Sequence, residues 1–347
     1  MKTTSLIGLL LFSPLTMSQI NVGEHVRISG FGTVSATKSD TSVPIFVHRN
    51  IDDEWCFDCD TTLGLQLDWI INDQWRTSVQ TVKRPQDHFS SPELEWAYLE
   101  SAWGAYSAKV GRLRLPVFMM SEYYYVSVAY PWIRPPQDVY DSLLGITHYD
   151  GASFEWNKML TDASQLRIST FAALPSENDY RLYNTQYTLD ASSAYGLTMD
   201  WYQDDNVFRI AYLTAEADLK TGSYNISHYD MDLLALGINY ALGDYHLFSE
   251  YIYDNQLYSN WYVGLARQFG KWQPYAQYGQ RRKLYSNDSY LFGLRYNVVP
   301  NVAINGEWQV VNSTENIISG HFTREQNPLT GIETKAHIIS LAISFTF

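Results

Sequence analysis

Charge is scarce in this sequence, and so are long apolar runs. Only 18% of its 347 residues are charged, against roughly 25% in soluble domains. No stretch approaches the ~18 consecutive apolar residues of a spanning helix; the longest good run covers residues 6–12. A helical membrane protein is thereby excluded, and a soluble enzyme would be unusual. Cations are scarcer than anions, 24 Lys and Arg against 37 Asp and Glu, for a net charge of −13. That balance repels phosphates and disfavours nucleic acid as a partner. Gly-x-Ser-x-Gly elbows, phosphate-cradling glycine loops and His-Glu-x-x-His helices are absent. The eight histidines are scattered, and the nearest approach to a catalytic pair, His148 and Asp150, has no nucleophile or oxyanion donor beside it. No enzymatic activity, cofactor or metal is expected.

Cysteine is nearly absent too. Cys56 and Cys59 sit together in an acidic stretch, too few for a metal site, and the expectation is a small loop disulfide of an exported protein. No cysteine follows the first apolar run, so a lipid anchor has no support.

What is abundant is aromatic: 27 Tyr, 15 Phe and 11 Trp, spread along the whole length. Residues 1–18 carry Lys2, the apolar run, Pro14 and then small or polar residues, the layout of a secretory signal peptide. Residues 19–347 then form one domain. Almost everywhere in it the hydrophobic period is two. His337, Ile339, Leu341, Ile343, Phe345 and Phe347 take one face of the last segment, and Ser340, Ala342, Ser344 and Thr346 the other.

Sixteen such segments can be placed, near 25–36, 60–71, 74–82, 92–102, 104–113, 147–157, 163–174, 192–203, 206–217, 230–242, 244–254, 259–270, 271–282, 286–298, 300–312 and 336–347. Their length suits a tilted membrane-spanning strand of about 9–11 residues. Tight connections such as Asn72-Asp73, Asp204-Asp205 and Gly270-Lys271 alternate with long ones, including 175–191, 218–229 and 313–335. An even strand count with short turns at one rim and long loops at the other describes an all-β transmembrane antiparallel β-barrel with short periplasmic turns and long extracellular loops. Hydrocarbon offers no partner to a free sheet edge, so closure is obligatory, and sixteen strands leave an aqueous lumen.

The closing Ile343-Ser344-Phe345-Thr346-Phe347 resembles the C-terminal signature of Gram-negative outer-membrane proteins. With the sixteen-strand layout, the chain resembles a general-diffusion porin. Residues 110–116 and 129–136 are similar to the stretch around loop 3 in a porin-like group of gammaproteobacteria. The resemblance implies a homotrimer in the cell outer membrane, recognition of the strand ending at Phe347 by the barrel assembly machinery, and a third loop, here 115–146, folded into the lumen as a constriction. The aromatics Phe118, Tyr123, Tyr124, Tyr125, Tyr130 and Trp132 fit burial of that loop. A lid over the mouth or a contact with a neighbouring subunit are the alternatives. Its acidic members Glu122, Asp138 and Asp141 would, by resemblance, face arginines across the pore.

Strand parity gives Arg27, Arg76, Arg167, Arg209, Arg281 and Arg295 as inward cations and Asp68, Glu95, Asp200, Glu250 and Glu307 as inward anions. Insertion energetics alone demands this, since Arg on the lipid face costs roughly 2–4 kcal/mol at the midplane. Arg112 and Arg114 stand where the strand enters the long loop; Arg112 is off the inward parity, and both are candidates to brace the loop root. Trp69, Trp75, Trp96, Trp156, Trp201, Trp261 and Trp272 fall near strand ends as an interfacial girdle. Acidic residues crowd the long loops, where divalent cations could bridge them to lipopolysaccharide. The function expected is a passive channel for small hydrophilic solutes and ions. A substrate-selective porin with a saturable anion or sugar site is the alternative, and a barrel enzyme or adhesin lies further off.

Overall fold

The structure, a computed structural model, describes residues 19–85, 91–143, 146–182, 185–283, 286–313, 320–323 and 331–347. The expected signal peptide, residues 1–18, lies outside them.

The strands, in chain order, are β1 (Ile20–Val22), β2 (Val26–Ser39), β3 (Thr62–Ile70), β4 (Trp75–Lys83), β5 (Glu93–Trp103), β6 (Tyr106–Arg114), β7 (His148–Thr161), β8 (Ser164–Ala173), β9 (Ser176–Leu182), β10 (Thr185–Gln203), β11 (Asn206–Thr221), β12 (Tyr224–Leu242), β13 (Tyr245–Tyr253), β14 (Ser259–Arg267), β15 (Trp272–Arg281), β16 (Asn287–Val299), β17 (Val302–Ser313) and β18 (Lys335–Thr346). They form one antiparallel sheet that closes where β18 pairs β2. The closed barrel has sixteen strands around its circumference because two pairs of elements share a column. The segments β8 and β9 both pair with β10. The short β1 continues the column of β18: Phe347 exchanges both backbone hydrogen bonds with Gly30, and Ile20 then stands opposite Ile28. Among the described residues every strand of the ring has a partner on both sides, β1 and β9 apart, the closure that a sheet in hydrocarbon would need.

Alternation sets the two faces. On β3, Leu63, Leu65, Leu67 and Trp69 are exposed outward, while Gln66 and Asp68 take the other face. On β18, Ile339, Leu341 and Ile343 are exposed and Ile338, Ser340 and Ala342 buried. Outward aromatics collect at one rim, where Trp75, Trp103, Tyr106, Trp201 and Trp272 are all exposed. Trp96 departs from the expected girdle. A bulge at Glu95 resets the register of β5, and Trp96 hydrogen-bonds the inner Ser78 through its indole N–H at 3.0 Å.

Two of the expected long loops are strands instead. Residues 176–182 and 185–191 pair with each other as continuations of β8 and β10, and β11 and β12 run on to a tight turn at Gly222, whose φ of +55° suits glycine. In these extensions one face is polar, with Asp190, Lys220, Asp218 and His228, and the other carries Leu189, Leu219, Ala217 and Tyr229.

Candidate functional site

The segment between β6 and β7 contains two single 3-10 turns, Ser121–Tyr123 and Ser127–Ala129, and one helical turn, Gln137–Tyr140. Its side chains belong to the largest hydrophobic cluster, with Phe118, Met120, Tyr130, Trp132 and Tyr140 all buried. Polar wall groups tie it down along one half of the barrel. Glu250 on β13 accepts from Met119 N–H at 2.8 Å and from the hydroxyls of Tyr140 and Tyr262 at 2.6 and 2.9 Å. Glu307 on β17 accepts from Ile133 N–H at 2.7 Å and Tyr275 OH at 2.9 Å. Asn305 donates to the Pro131 carbonyl at 2.6 Å, and Arg134 donates to Ser340 on β18 at 2.7 Å. Wall glycines make room: Met119 lies over Gly237, Trp132 over Gly264 and Asp138 over Gly279.

The residues anticipated from sequence fall into distinct groups. Arg209 and Arg295 lie under the loop: Arg209 donates to the Phe118 carbonyl and to Asp200, and Arg295 donates to the carbonyls of Ser127, Val128 and Tyr130. Arg114 bonds the Ser121 carbonyl at 2.7 Å and Glu95, at the root of the segment. Arg112 pairs with Asp150 at 2.9 Å on the outward face. Asp138 and Asp141 do not face arginines across an open space. Asp138 accepts from Ser289, from Asn287 at 3.1 Å and from His321 at 3.2 Å, and Asp141 stands 3.7 Å from His321. The helical turn that carries Asp138, with Asp141 just after it, presses against β14 and β15, so the Asp138 carboxylate meets the wall behind the loop. The pair His148 and Asp150 is divided between arginines, His148 Nδ1 lying 3.2 Å from Arg84 and Asp150 held by Arg112.

Glu122 differs from the other two acids of the segment. It is exposed, on a 3-10 turn held by Arg114. Surrounding protein raises its carboxyl, but Arg167, Lys109 and Arg209 outweigh that and hold it below the usual glutamate range. On the inner face of β3 to β8, Arg76 pairs with Glu100 at 2.5 Å, Arg167 with Asp200 of β10 at 2.9 Å, and Gln80, Gln66 and Asp68 form a chain. Arg27 stands opposite Asp68 in the register. Lys109, above the Tyr98 ring at 5.6 Å, belongs to this face. Sequence parity applied to β6 would have found Lys109, which shares its face with Ser107 and Leu113.

A second cluster has no counterpart in the sequence reading. Asp60, just before β3, is buried between Arg49 at 2.8 Å and Arg134. Burial pushes its carboxyl up, and the two guanidiniums pull it well below the usual aspartate range. Arg49 also donates to Gln137 at 2.9 Å, and Phe46 packs edge-on against His321. The segment 40–61 is thus fastened to the segment between β6 and β7. Cys56 and Cys59 are joined as a disulfide in it.

No protein-family model and no curated protein matches the chain. Solved structures do. Salmonella typhi OmpF, solved in complex with daunomycin, superposes with a TM-score of 0.65 at 13% identity, over 95% of this chain and 100% of that one. An anion-selective porin from Comamonas acidovorans gives 0.64 at 9% identity, over 93% and 99%. A mutant of the Rh. blastica porin gives 0.55 at 13%, over 93% and 100%. The chain has the closed sixteen-strand barrel fold of these porins.

Proposed function

We propose that this protein is a passive channel of the Gram-negative outer membrane through which small hydrophilic solutes and ions diffuse. One observation carries the reading: Glu250, Arg295, Asn305 and Glu307 on β13 to β17 hydrogen-bond the segment 115–146, while the inner face of β3 to β6 presents Gln66, Asp68, Arg76, Glu100 and Lys109 and meets the segment through Val82 and the root residue Arg114. Such a wall suits water, and a loop seated this way would narrow the passage without closing it. Glu122 on the loop and Lys109 on the wall would set ion preference there, because charged side chains in a wide pore bias permeation.

The remaining parts of the proposal rest on the resemblance to porins. Residues 1–18 would direct export and be removed, the strand ending at Phe347 would be read by the barrel assembly machinery, acidic outer loops would bind lipopolysaccharide through divalent cations, and the chain would assemble as a homotrimer.

Conductance of the purified protein in planar bilayers tests the reading. Current that rises linearly with salt supports general diffusion, saturation indicates a binding site, and the absence of channels overturns the proposal. Removing part of residues 123–136 is expected to raise single-channel conductance; an unchanged value would place the loop outside the passage.

A further inference from the structure

Two arginines of the outer wall are treated differently by the fold. Arg112 has an acceptor within the chain, Asp150, at 2.9 Å. Arg267, the last residue of β14, has none. Among the described residues its guanidinium donates no hydrogen bond and joins no ion pair, and its Nε is buried without a partner. Parity turns it outward, because Val263 and Leu265 on the same face of β14 are exposed while Tyr262, Gly264 and Ala266 on the other are buried.

Aromatic rings hold this cation. Its Cζ lies 4.7 Å from the ring centroid of Tyr245, which stands opposite it in the register, and 4.2 Å from that of Phe269. Both rings are exposed on the outer wall. Ring faces attract a guanidinium, but they accept little from its N–H donors, which still need oxygen. The carboxylate at the neighbouring turn does not supply it. Asp244 meets this segment through its backbone carbonyl, which accepts from Gln268 N–H at 2.9 Å, and it makes no ion pair. Lys271, the next cation along the rim, is spent on the Val298 carbonyl at 2.9 Å.

The place of the site in the wall indicates where an acceptor would come from. Arg267 lies three residues before Gly270, whose φ of +57° makes one of the tight turns, and the exposed Trp272 just beyond it belongs to the aromatic rim. In the channel reading this rim meets the headgroups of the periplasmic leaflet. The acceptor that a lipid brings to that depth is a phosphate, whose paired oxygens fit the guanidinium fork. Leu265 and Val263, further up the same face, and Leu242 on β12 are exposed and offer a bed for acyl chains.

We infer that Arg267, clasped by Tyr245 and Phe269, binds the phosphate of a glycerophospholipid in the periplasmic leaflet. The inference rests on the membrane-barrel reading and concerns what the outer wall holds, not what the lumen passes.

The test is lipid retention by the full protein, purified in detergent and titrated with phosphatidylglycerol, read as lipids bound per chain in its native mass spectrum. Unheated gel mobility and bilayer conductance serve as controls for a folded barrel. The wild type is expected to retain phosphatidylglycerol in preference to diacylglycerol, which lacks the phosphate. Arg267→Gln should weaken the tightest lipid about tenfold or more, and Arg267→Lys, which keeps the charge without the fork, should fall between. Lys158→Gln, which removes an exposed cation of β7, should leave that lipid in place, and conductance should be unaltered in all three. Equal retention by Arg267→Gln and a folded, conducting wild type would overturn the inference and spare the channel reading. So would a preference for lipid A over phosphatidylglycerol, or a change in native mass with Arg267→Gln when no lipid is retained by either protein. A wild type with no folded barrel would instead overturn the membrane reading itself.

Discussion

Trp132 lies over Gly264: a Cβ on that glycine would fall 2.7 Å from the indole Cζ2. The glycine is a socket in β14 cut to the width of a loop side chain, which also packs edge-on against Phe248 and Tyr262 with ring centroids 5.0 and 5.9 Å away. Gly264→Leu should therefore expel the indole. Overpacking of this kind costs about 1–3 kcal/mol, and the loosened loop should give a larger and noisier single-channel conductance. An unchanged conductance trace would show that Trp132 does not hold the loop in place.

Glu250 gathers three donors from the loop and the wall. Glu250→Ala leaves them buried without an acceptor, at about 1 kcal/mol or more apiece, for a loss of roughly 3 kcal/mol. Limited proteolysis should cut residues 115–142 faster in the variant, while the barrel strands stay resistant. Glu250→Gln, which keeps one acceptor oxygen, should fall between the variant and the wild type.

Glu122 and Lys109 predict opposite shifts in reversal potential under a salt gradient. Glu122→Gln should move the channel toward anions and Lys109→Gln toward cations. The carboxyl of Glu122 is held below the usual glutamate value by Arg167, Lys109 and Arg209. Its attraction for cations should persist as pH falls from 7 to about 4.3, the ordinary glutamate value, and disappear only below that. A loss of cation preference already at pH 5 to 6 would point to a different titrating group.

Asp60 links the segment 40–61 to the segment between β6 and β7 through Arg49 and Arg134. Its folded pKa is depressed, so its contribution is complete above the unfolded value of about 3.9 and is lost as pH falls through the lower folded value. Hydrogen exchange of residues 44–60 should stay slow at pH 5 and accelerate in stronger acid. Asp60→Asn, which leaves two buried guanidiniums facing a neutral amide, should accelerate it already at pH 7.

Reduction of the Cys56–Cys59 bridge should add two hydrogens to the mass and leave the barrel intact. A bridge across so short a segment removes at most about 2 kcal/mol of chain entropy, and its neighbours are loop residues. Loss of folded gel mobility on reduction would show that the segment stabilises the whole wall.

Strand positions and the closure they enforce were legible in the sequence because a barrel wall with an apolar outer and a polar inner face imposes period two on its strands. Val302 to Val310 and His337 to Phe347 could be assigned to their faces residue by residue. The strand extensions at 176–182, 185–191 and 218–229 were not legible, because charged residues such as Asp190, Asp218 and Lys220 on one face give them the composition of loops although Leu189, Leu219, Ala217 and Tyr229 share the other. Parity also named Arg209, Arg295, Glu250 and Glu307 as inward, but not that the loop takes their hydrogen-bonding capacity. That depends on contacts such as Asn305 with Pro131, which are far apart in the chain. Which inward charges stay accessible is likewise a tertiary matter. Glu122 and Lys109 lie on elements whose apposition is fixed only when Trp132, Met119 and Asp138 find their glycines. The sequence by itself determined a closed sixteen-strand wall, because so many alternating antiparallel strands satisfy the backbone of both edges only by closing. The tertiary structure alone decided which half of that wall the loop occupies, because the choice is made by shape and by single buried acceptors that carry no period.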